Sequence, residues 1–365
     1  MLPLHTTTMG PPISRNLHRT TKKAPTKGSS KPHKAKAPAP VAETGPTSAL
    51  PIDLLQLLLN IFRDSFQDRL SSDIKPLLQE VKGHLYNRDF ATAFGKEEYL
   101  EAYALRWSPS RALCYLQIFD DLKNKLKPFN GVSEETEDAE WNIVCLGGGA
   151  GAEIVTLGGL MKLLEPVDEE HGAELKITAI DIADWSNVVT RLREGVVNKP
   201  PLSKYASAAA QEANKALTDP ACFSVGFHQN DVLNMSFEAL SKLVEKADLV
   251  TLMFTLNEIY TTSLSLTQKF LLGLTTSLSA GALLLVVDSP GSYSTVSLNG
   301  TEKKYPMQWL LDHTLLGPEA SAQDTPKWEK IKEEESKWFR LPETLRYPIE
   351  LENMRYQLHL YRRLG

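Results

Sequence analysis

Apolar positions change their period partway along the chain, and that change divides it in two. Over residues 50–126 they recur at helical spacing. Leu54, Leu55, Leu58, Ile61 and Phe62 share one face, Asp53 sits in the favourable first turn, and Leu77, Leu78 and Val81 continue the pattern in a second helix. Ser108-Pro109 predicts a fresh helix start, with Ser108 as cap and Pro109 in the first turn. The stretch 49–132 therefore reads as a helical N-terminal subdomain. After it, short apolar runs at 141–146, 177–181, 223–227, 247–254 and 282–287 alternate with helical stretches at 152–164, 185–193, 237–245 and 263–278. Buried strands alternating with helices predict a parallel sheet covered on both faces. The end departs from this rhythm: 344–350 and 354–362 read as two strands joined by Glu352-Asn353. The expected fold class is α/β, a Rossmann-like sheet over 139–365, mostly parallel with an antiparallel C-terminal hairpin. No internal repeat is visible.

Composition adds little to that outline, but charge adds a tail. The chain has 365 residues, 42% hydrophobic and 23% charged, close to an average globular protein with ample length for a core. The net charge of −5 is uneven. Residues 1–42 carry eight Lys or Arg and no acid, leaving 32 basic against 45 acidic residues, −13, for the remainder. Rich in Pro, Ser, Thr and Gly, residues 1–48 read as a disordered basic tail, either a phosphate-attracting arm, a nuclear address or a solvating leash. A second low-complexity segment, the acidic linker over 133–138, precedes the first strand. Three cysteines, Cys114, Cys145 and Cys222, lie far apart with no CxxC pair, which argues against a disulfide framework or a zinc site and fits a reducing compartment. The longest uncharged run, 270–287, is broken by Thr, Ser and Gly, so no membrane span and no metal are expected. Nothing points to an obligate oligomer, and a monomer is expected.

The chemistry concentrates where strands end. Gly147, Gly148, Gly149, Ala150 and Gly151 join the first strand to the first helix after it. In open parallel sheets ligands bind at the carboxyl ends of strands, and glycines let backbone approach them. Asp181 closes the second strand before Ile182, where an acceptor-only carboxylate can take both ribose hydroxyls. Asp231, before Val232, closes the third and suits an adenine amino group. Gly147-x-Gly149-x-Gly151 matches the pattern of S-adenosylmethionine-dependent methyltransferases, whereas Gly147-x-Gly149-x-x-Ala152 matches a dinucleotide fingerprint. The acid after the third strand and the antiparallel finish favour methyl transfer. One departure stands against it. Methyltransferases often carry an acid two residues before the first glycine, and here that position is Cys145.

The fourth strand runs into Thr255-Leu256-Asn257-Glu258-Ile259-Tyr260, at the mouth of such a site. In-line methyl transfer depends on positioning. Asn257 is the candidate to orient an acceptor N–H, and Glu258, with its pKa raised by burial, the candidate base. Arg106 or Arg111 could pair with the cofactor carboxylate. Residues 292–341 are too long for a plain connection. They mix Lys304, Tyr305, Trp309, Trp328, Lys337, Trp338, Phe339 and Arg340 with Glu333 to Glu335, which suits either RNA stacking or a helical lid packed by its tryptophans.

Arg106-Trp107-Ser108-Pro109-Ser110-Arg111-Ala112-Leu113, the glycine loop, Thr255 to Tyr260 and Asp288-Ser289-Pro290-Gly291-Ser292-Tyr293 together resemble the fungal large-subunit ribosomal-RNA uridine-N3 methyltransferases. The resemblance covers residues 50–365. It implies a class I methyltransferase sheet, S-adenosyl-L-methionine as cofactor, and one uridine of 25S ribosomal RNA or of a pre-ribosome as acceptor. The implied setting is the nucleus or nucleolus, or the cytoplasm. Gly147 to Gly151, Asp181, Ile182, Asp231, Val232, Thr255, Asn257 and Arg106 are the expected cofactor residues.

Overall fold

Helical spacing over 50–126 becomes α1 (Ile52–Ser65), α2 (Gln67–Leu70), α3 (Lys75–Tyr86), α4 (Phe90–Ala93), α5 (Glu97–Arg106) and α6 (Ser108–Leu122). The computed structural model describes residues 50–126, 140–164, 174–291, 293–298, 301–317 and 325–365. The basic tail over 1–48 and the acidic linker over 133–138 lie outside the described residues. In α1 the predicted stripe Leu54, Leu55, Leu58, Ile61 and Phe62 is buried throughout. One detail differs: Trp107, not Ser108, occupies the N-cap of α6. Ser108 is already helical, because its Oγ donates to Ala150 O at 2.8 Å instead of capping its own helix.

Beyond these helices the chain alternates as expected: β1 (Glu140–Leu146), α7 (Ala152–Leu164), β2 (Glu174–Asp181), α8 (Ser186–Val197), α9 (Ala208–Ala213), β3 (Phe223–Gln229), α10 (Phe237–Val244), β4 (Leu249–Met253), α11 (Leu256–Thr262), α12 (Leu264–Ser277) and β5 (Leu283–Asp288). Then come β6 (Tyr293–Leu298), β7 (Thr301–Pro306), α13 (Met307–Leu316), β8 (Trp328–Phe339) and β9 (Met354–Arg363). The large sheet runs β3-β2-β1-β4-β5-β9-β8, while β6 and β7 pair apart from it. β1 to β5 are mutually parallel; β9 is antiparallel to both β5 and β8. A reversed strand inserted between two parallel ones is absent from the dinucleotide order, in which a parallel sixth strand follows the fifth directly.

Alternation along the strands splits the core into two layers. Ile143, Cys145, Leu249, Met253, Leu285 and Val287 face one cluster, which also holds α1 and α5 to α8. Val144, Leu146, Val250, Leu252, Leu284 and Val286 face the other, under α10 to α13. The N-terminal helices thus share a core with the sheet. At about 1.5–3 kcal/mol for each fully buried Leu, Val or Phe, that shared layer is what fixes α6 over the first strand.

The antiparallel finish is present, but one of its partners was misassigned. β9 pairs with 328–339, not with 344–350. Pro348 has no backbone donor for a ladder, and the segment docks elsewhere. Gln56 takes both Arg346 N, at 2.8 Å, and Arg346 O, at 2.9 Å, while the Tyr347 hydroxyl donates to Leu105 O at 3.0 Å. Its alternating Leu345, Tyr347 and Ile349 pack on the helical core rather than on a strand. The expected lid over 292–341 is correspondingly a hairpin, a helix and the edge strand β8. Trp328 and Phe339 are buried in it; Trp309 and Trp338 are not.

Candidate active site

Strand order reverses between β1 and β4, since β1 pairs with β2 on one side and β4 on the other. Loops leaving the carboxyl ends of these two strands diverge, and the crevice between them is where ligands of such sheets bind. The glycine loop leaves β1 here and residues 254–257 leave β4. They touch: a Cβ built on Gly147, whose φ is +74°, would collide with the Thr255 side chain. A Cβ on Gly149 would enter the Trp185 ring and come within 2.9 Å of Asp181 Cβ. The loop is therefore pressed against its own surroundings. Ala150 O is tied to α6 through Ser108.

Asp181 ends β2 beside this loop. Its Oδ2 accepts from Gly149 N at 3.2 Å and its Oδ1 from Ala183 N at 3.3 Å. Burial pushes its carboxyl above the usual range, and those backbone bonds oppose the rise. A carboxylate's two oxygens offer about four acceptor sites. Next to it Ile182 is 62% exposed, an unusual position for a large aliphatic side chain. Asp231 lies past β3 and accepts from Leu233 N at 3.0 Å and Asn234 Nδ2 at 2.7 Å, which closes a local turn; Val232 packs against the second core layer.

At the end of β4, Phe254 has φ +59°, a left-handed conformation that a bulky aromatic residue rarely adopts. Such strain costs about 1–3 kcal/mol and persists only where surroundings impose it. Here Phe254 N donates to Val287 O at 2.7 Å, and the ring lies between Tyr115, 6.3 Å between centroids, and the Arg111 guanidinium at 5.1 Å. Thr255 is the N-cap of α11. The Asn257 backbone N–H donates to Asp288 Oδ2 at 2.9 Å, and its side-chain amide makes no hydrogen bond among the described residues. Glu258 departs from expectation. Its carboxylate is 39% exposed and faces Arg88 at 3.5 Å, so the burial that was to make it basic is missing. The buried carboxyl is Asp288, at the end of β5, pushed up to about 6 by desolvation.

The Arg-Trp-Ser-Pro-Ser-Arg segment forms a seam. Arg106 pairs with Glu352, and Ser110 Oγ accepts from Glu352 N at 3.2 Å. Arg111 donates to the Tyr103 hydroxyl at 2.7 Å. A cavity of about 210 Å³ opens here, lined by Arg106, Trp107, Arg111, Phe254, Asn353 and Arg355 among others. Behind it lies a residue that sequence reasoning missed. Glu153, in the first turn of α7, is 4% exposed, its Oε1 has no hydrogen-bond partner, and burial pushes it up to about 7. The signal was present: Glu153 is the only charged residue between Trp141 and Met161. Arg111, Asp181 and Cys145 are near enough to interact with it electrostatically. Among the described residues no cluster of three or more His, Cys, Asp or Glu could hold a metal, and no helix is long and apolar enough to cross a membrane.

A family model described as "Putative SAM-dependent methyltransferase" matches residues 62–362. A protein named 25S rRNA (uridine(2843)-N(3))-methyltransferase from Saccharomyces cerevisiae is 34% identical over 327 residues, covering 84% of this chain and 85% of that protein. Among solved structures, an O-methyltransferase family protein from Burkholderia thailandensis aligns over 75% of this chain and 63% of that one, at 11% identity and a TM-score of 0.37. An S-adenosylmethionine-dependent methyltransferase from Clostridium acetobutylicum aligns over 77% of this chain and all of that one, at 10% identity and 0.34.

Proposed function

The chain belongs to this family of S-adenosylmethionine-dependent methyltransferases, and from that premise we propose that it methylates N3 of a uridine in large-subunit (25S) ribosomal RNA. The observation that carries the acceptor is the 34% identity, sustained over 84% of the chain, to a protein named for that reaction. A monomer acting on ribosomal RNA or a pre-ribosome in the nucleus or nucleolus is the setting that follows.

The residues present fit the cofactor. Glu153 Oε1, buried without a partner, is suited to an ammonium group, the contact that Cys145 cannot make. Half-buried Arg111, always cationic, suits the carboxylate of the same amino-acid end, since Arg106 is already occupied by Glu352. Asp181 has lone pairs left for ribose hydroxyls, and exposed Ile182 with Val232 and the Asp231 turn offers an apolar and polar seat for adenine. Gly147 to Gly151 line the approach, and Thr255 closes it from β4. When bound, S-adenosylmethionine supplies an electrophilic methyl group on a sulfonium.

The chain's own part is positioning and proton transfer. Asp288 anchors the first turn of α11 through Asn257 N, which holds the Asn257 amide at the end of β4. That amide is free to orient the acceptor's imide N–H. Glu258, one residue further and beside Arg88 at 3.5 Å, takes the proton as N3 becomes nucleophilic. Ribosomal RNA purified from a strain lacking the enzyme should accept labelled methyl from S-adenosylmethionine in the presence of the purified chain, and protein fractions should not. Label in protein alone would overturn the RNA acceptor.

A further inference from the structure

We infer that the β8–β9 edge beside the cavity is a docking track for the single-stranded RNA flanking the acceptor nucleotide, with Trp338 stacking a base and Arg340 and Arg355 receiving phosphates. This rests on the ribosomal-RNA reading above and goes beyond it in naming the surface. β8 is the outer strand of the large sheet, and Trp338 near its end is 50% exposed. Arg355 stands directly opposite Trp338 in the β8–β9 register, so the two share a face. The Arg340 and Arg355 guanidiniums lie 5.1 and 5.8 Å from the indole centroid, and half of the indole stays open with both in place. Arg355 also lines the cavity that reaches Phe254 at the end of β4. One residue thus belongs both to the tryptophan platform and to the entrance of the site.

Charge identifies the occupant. Neighbouring lysines are neutralised: Lys337 pairs with Asp121 at 2.6 Å and Lys332 with Glu334 at 2.6 Å. Arg340 and Arg355 have no acidic partner among the described residues; Arg355 Nε donates only to Ser336 Oγ, at 2.8 Å. Uncompensated guanidiniums around an open aromatic face are what a strand of stacked bases and phosphates requires. An added protein strand fits less well. Register shifts between Lys330 and Lys332 and between Glu334 and Lys337 interrupt the edge, and such irregularities disfavour edge pairing.

The test is binding of the full chain to a labelled single-stranded RNA carrying one central uridine, followed by fluorescence anisotropy across a salt series. Trp338→Ala should weaken binding about tenfold and Trp338→Phe much less, because a base stacks on any aromatic face. Arg340→Gln with Arg355→Gln should flatten the dependence of log affinity on log salt by about 0.7 for each arginine removed. Cofactor affinity and thermal midpoint should not move in any of these variants, and duplex RNA should compete poorly. Unchanged RNA affinity in Trp338→Ala, with methyl transfer to RNA intact, overturns the track and leaves the acceptor reading standing. A wild-type chain with no affinity for RNA overturns both. Loss of transfer to intact pre-ribosomal particles by Trp338→Ala, with affinity for naked RNA unchanged, would assign the surface to a protein partner and overturn the track.

Discussion

The two loops that meet at the crevice are built in opposite ways. On the β1–β2 side, polar groups are desolvated and fixed: Asp181 is held by Gly149 and Ala183, and Glu153 is buried with an oxygen unpaired. On the β4–β9 side they are more open: Glu258 is half-exposed and Arg88 exposed, and Trp338 on the outer strand β8 stands beside exposed Arg355 of β9. A small cofactor bound anew in every cycle is recognised by preorganised, dry groups whose ionisation is already perturbed. A large anionic acceptor is met by solvated cations and an aromatic surface, where attraction is broad and screened by salt. Changes on the first side should therefore act on cofactor affinity and on stability. Changes on the second should act on turnover and RNA binding.

The sharpest way to break the comparison is at Glu258. Glu258→Gln should lower kcat by about 10²–10⁴-fold without altering cofactor affinity, whereas Asp288→Asn should loosen the first turn of α11 and raise KM with a smaller loss of kcat. A pH–rate profile separates them, because only the base removes the acidic limb when neutralised. If Asp288→Asn abolishes that limb instead, the base is the carboxyl at the end of β5.

On the other side, Asp181→Ala should weaken S-adenosylmethionine binding by about 10²–10⁴-fold, two hydrogen bonds to a charged group contributing roughly 1.5–3 kcal/mol each. Calorimetric titration reads this directly, and RNA affinity should not follow it. Glu153→Gln should have a mixed effect. Its folded value near 7 lies above the ordinary 4.5, so the protonated form favours the fold. That stabilisation is complete below pH 4.5 and is lost as pH rises to 7. Glutamine cannot ionise and keeps it. The variant should therefore be more stable than the parent at pH 8, by on the order of 3 kcal/mol, and nearly equal at pH 4.5. Its cofactor affinity should fall and should no longer improve between pH 6 and 7. Melting curves at the two pH values check the first part. A variant less stable at pH 8 would mean that Glu153 has a partner.

How much of this was legible in the chain differs between the same two halves. The dry half could be read well, because strand, glycine loop and acid follow one another within a short βαβ unit whose periodicity is local. Glu153 escaped notice because an acid in a first helical turn is ordinary, and local sequence does not reveal that α7 is packed between α1, α6 and α8. The open half was read less well. The charged 328–339 run looked like a lid, since an outer strand carries charges where an inner one carries Val and Leu. Alternation in 344–350 looked like a strand, since Leu345, Tyr347 and Ile349 meet a helical surface with the same period. Glu258 was expected to be buried from its place beside a strand end, and no local pattern reveals that α11 turns it towards Arg88.

The smallest predicted effect sharpens the acceptor side. Glu352→Gln should release Arg106 and strengthen single-stranded RNA binding a few-fold at low salt, with the gain fading as salt rises. An unchanged affinity would make that pair a purely structural clasp on α6.

The most direct measurement is nucleoside analysis of the RNA product. Ribosomal RNA from a strain lacking the enzyme is incubated with the purified chain and labelled S-adenosylmethionine, digested to nucleosides and resolved by mass spectrometry. The account predicts label in 3-methyluridine from 25S RNA, and much less with Asp181→Ala at limiting cofactor. Label in a ribose-methylated or 5-methyl nucleoside, or in no nucleoside at all, would contradict it.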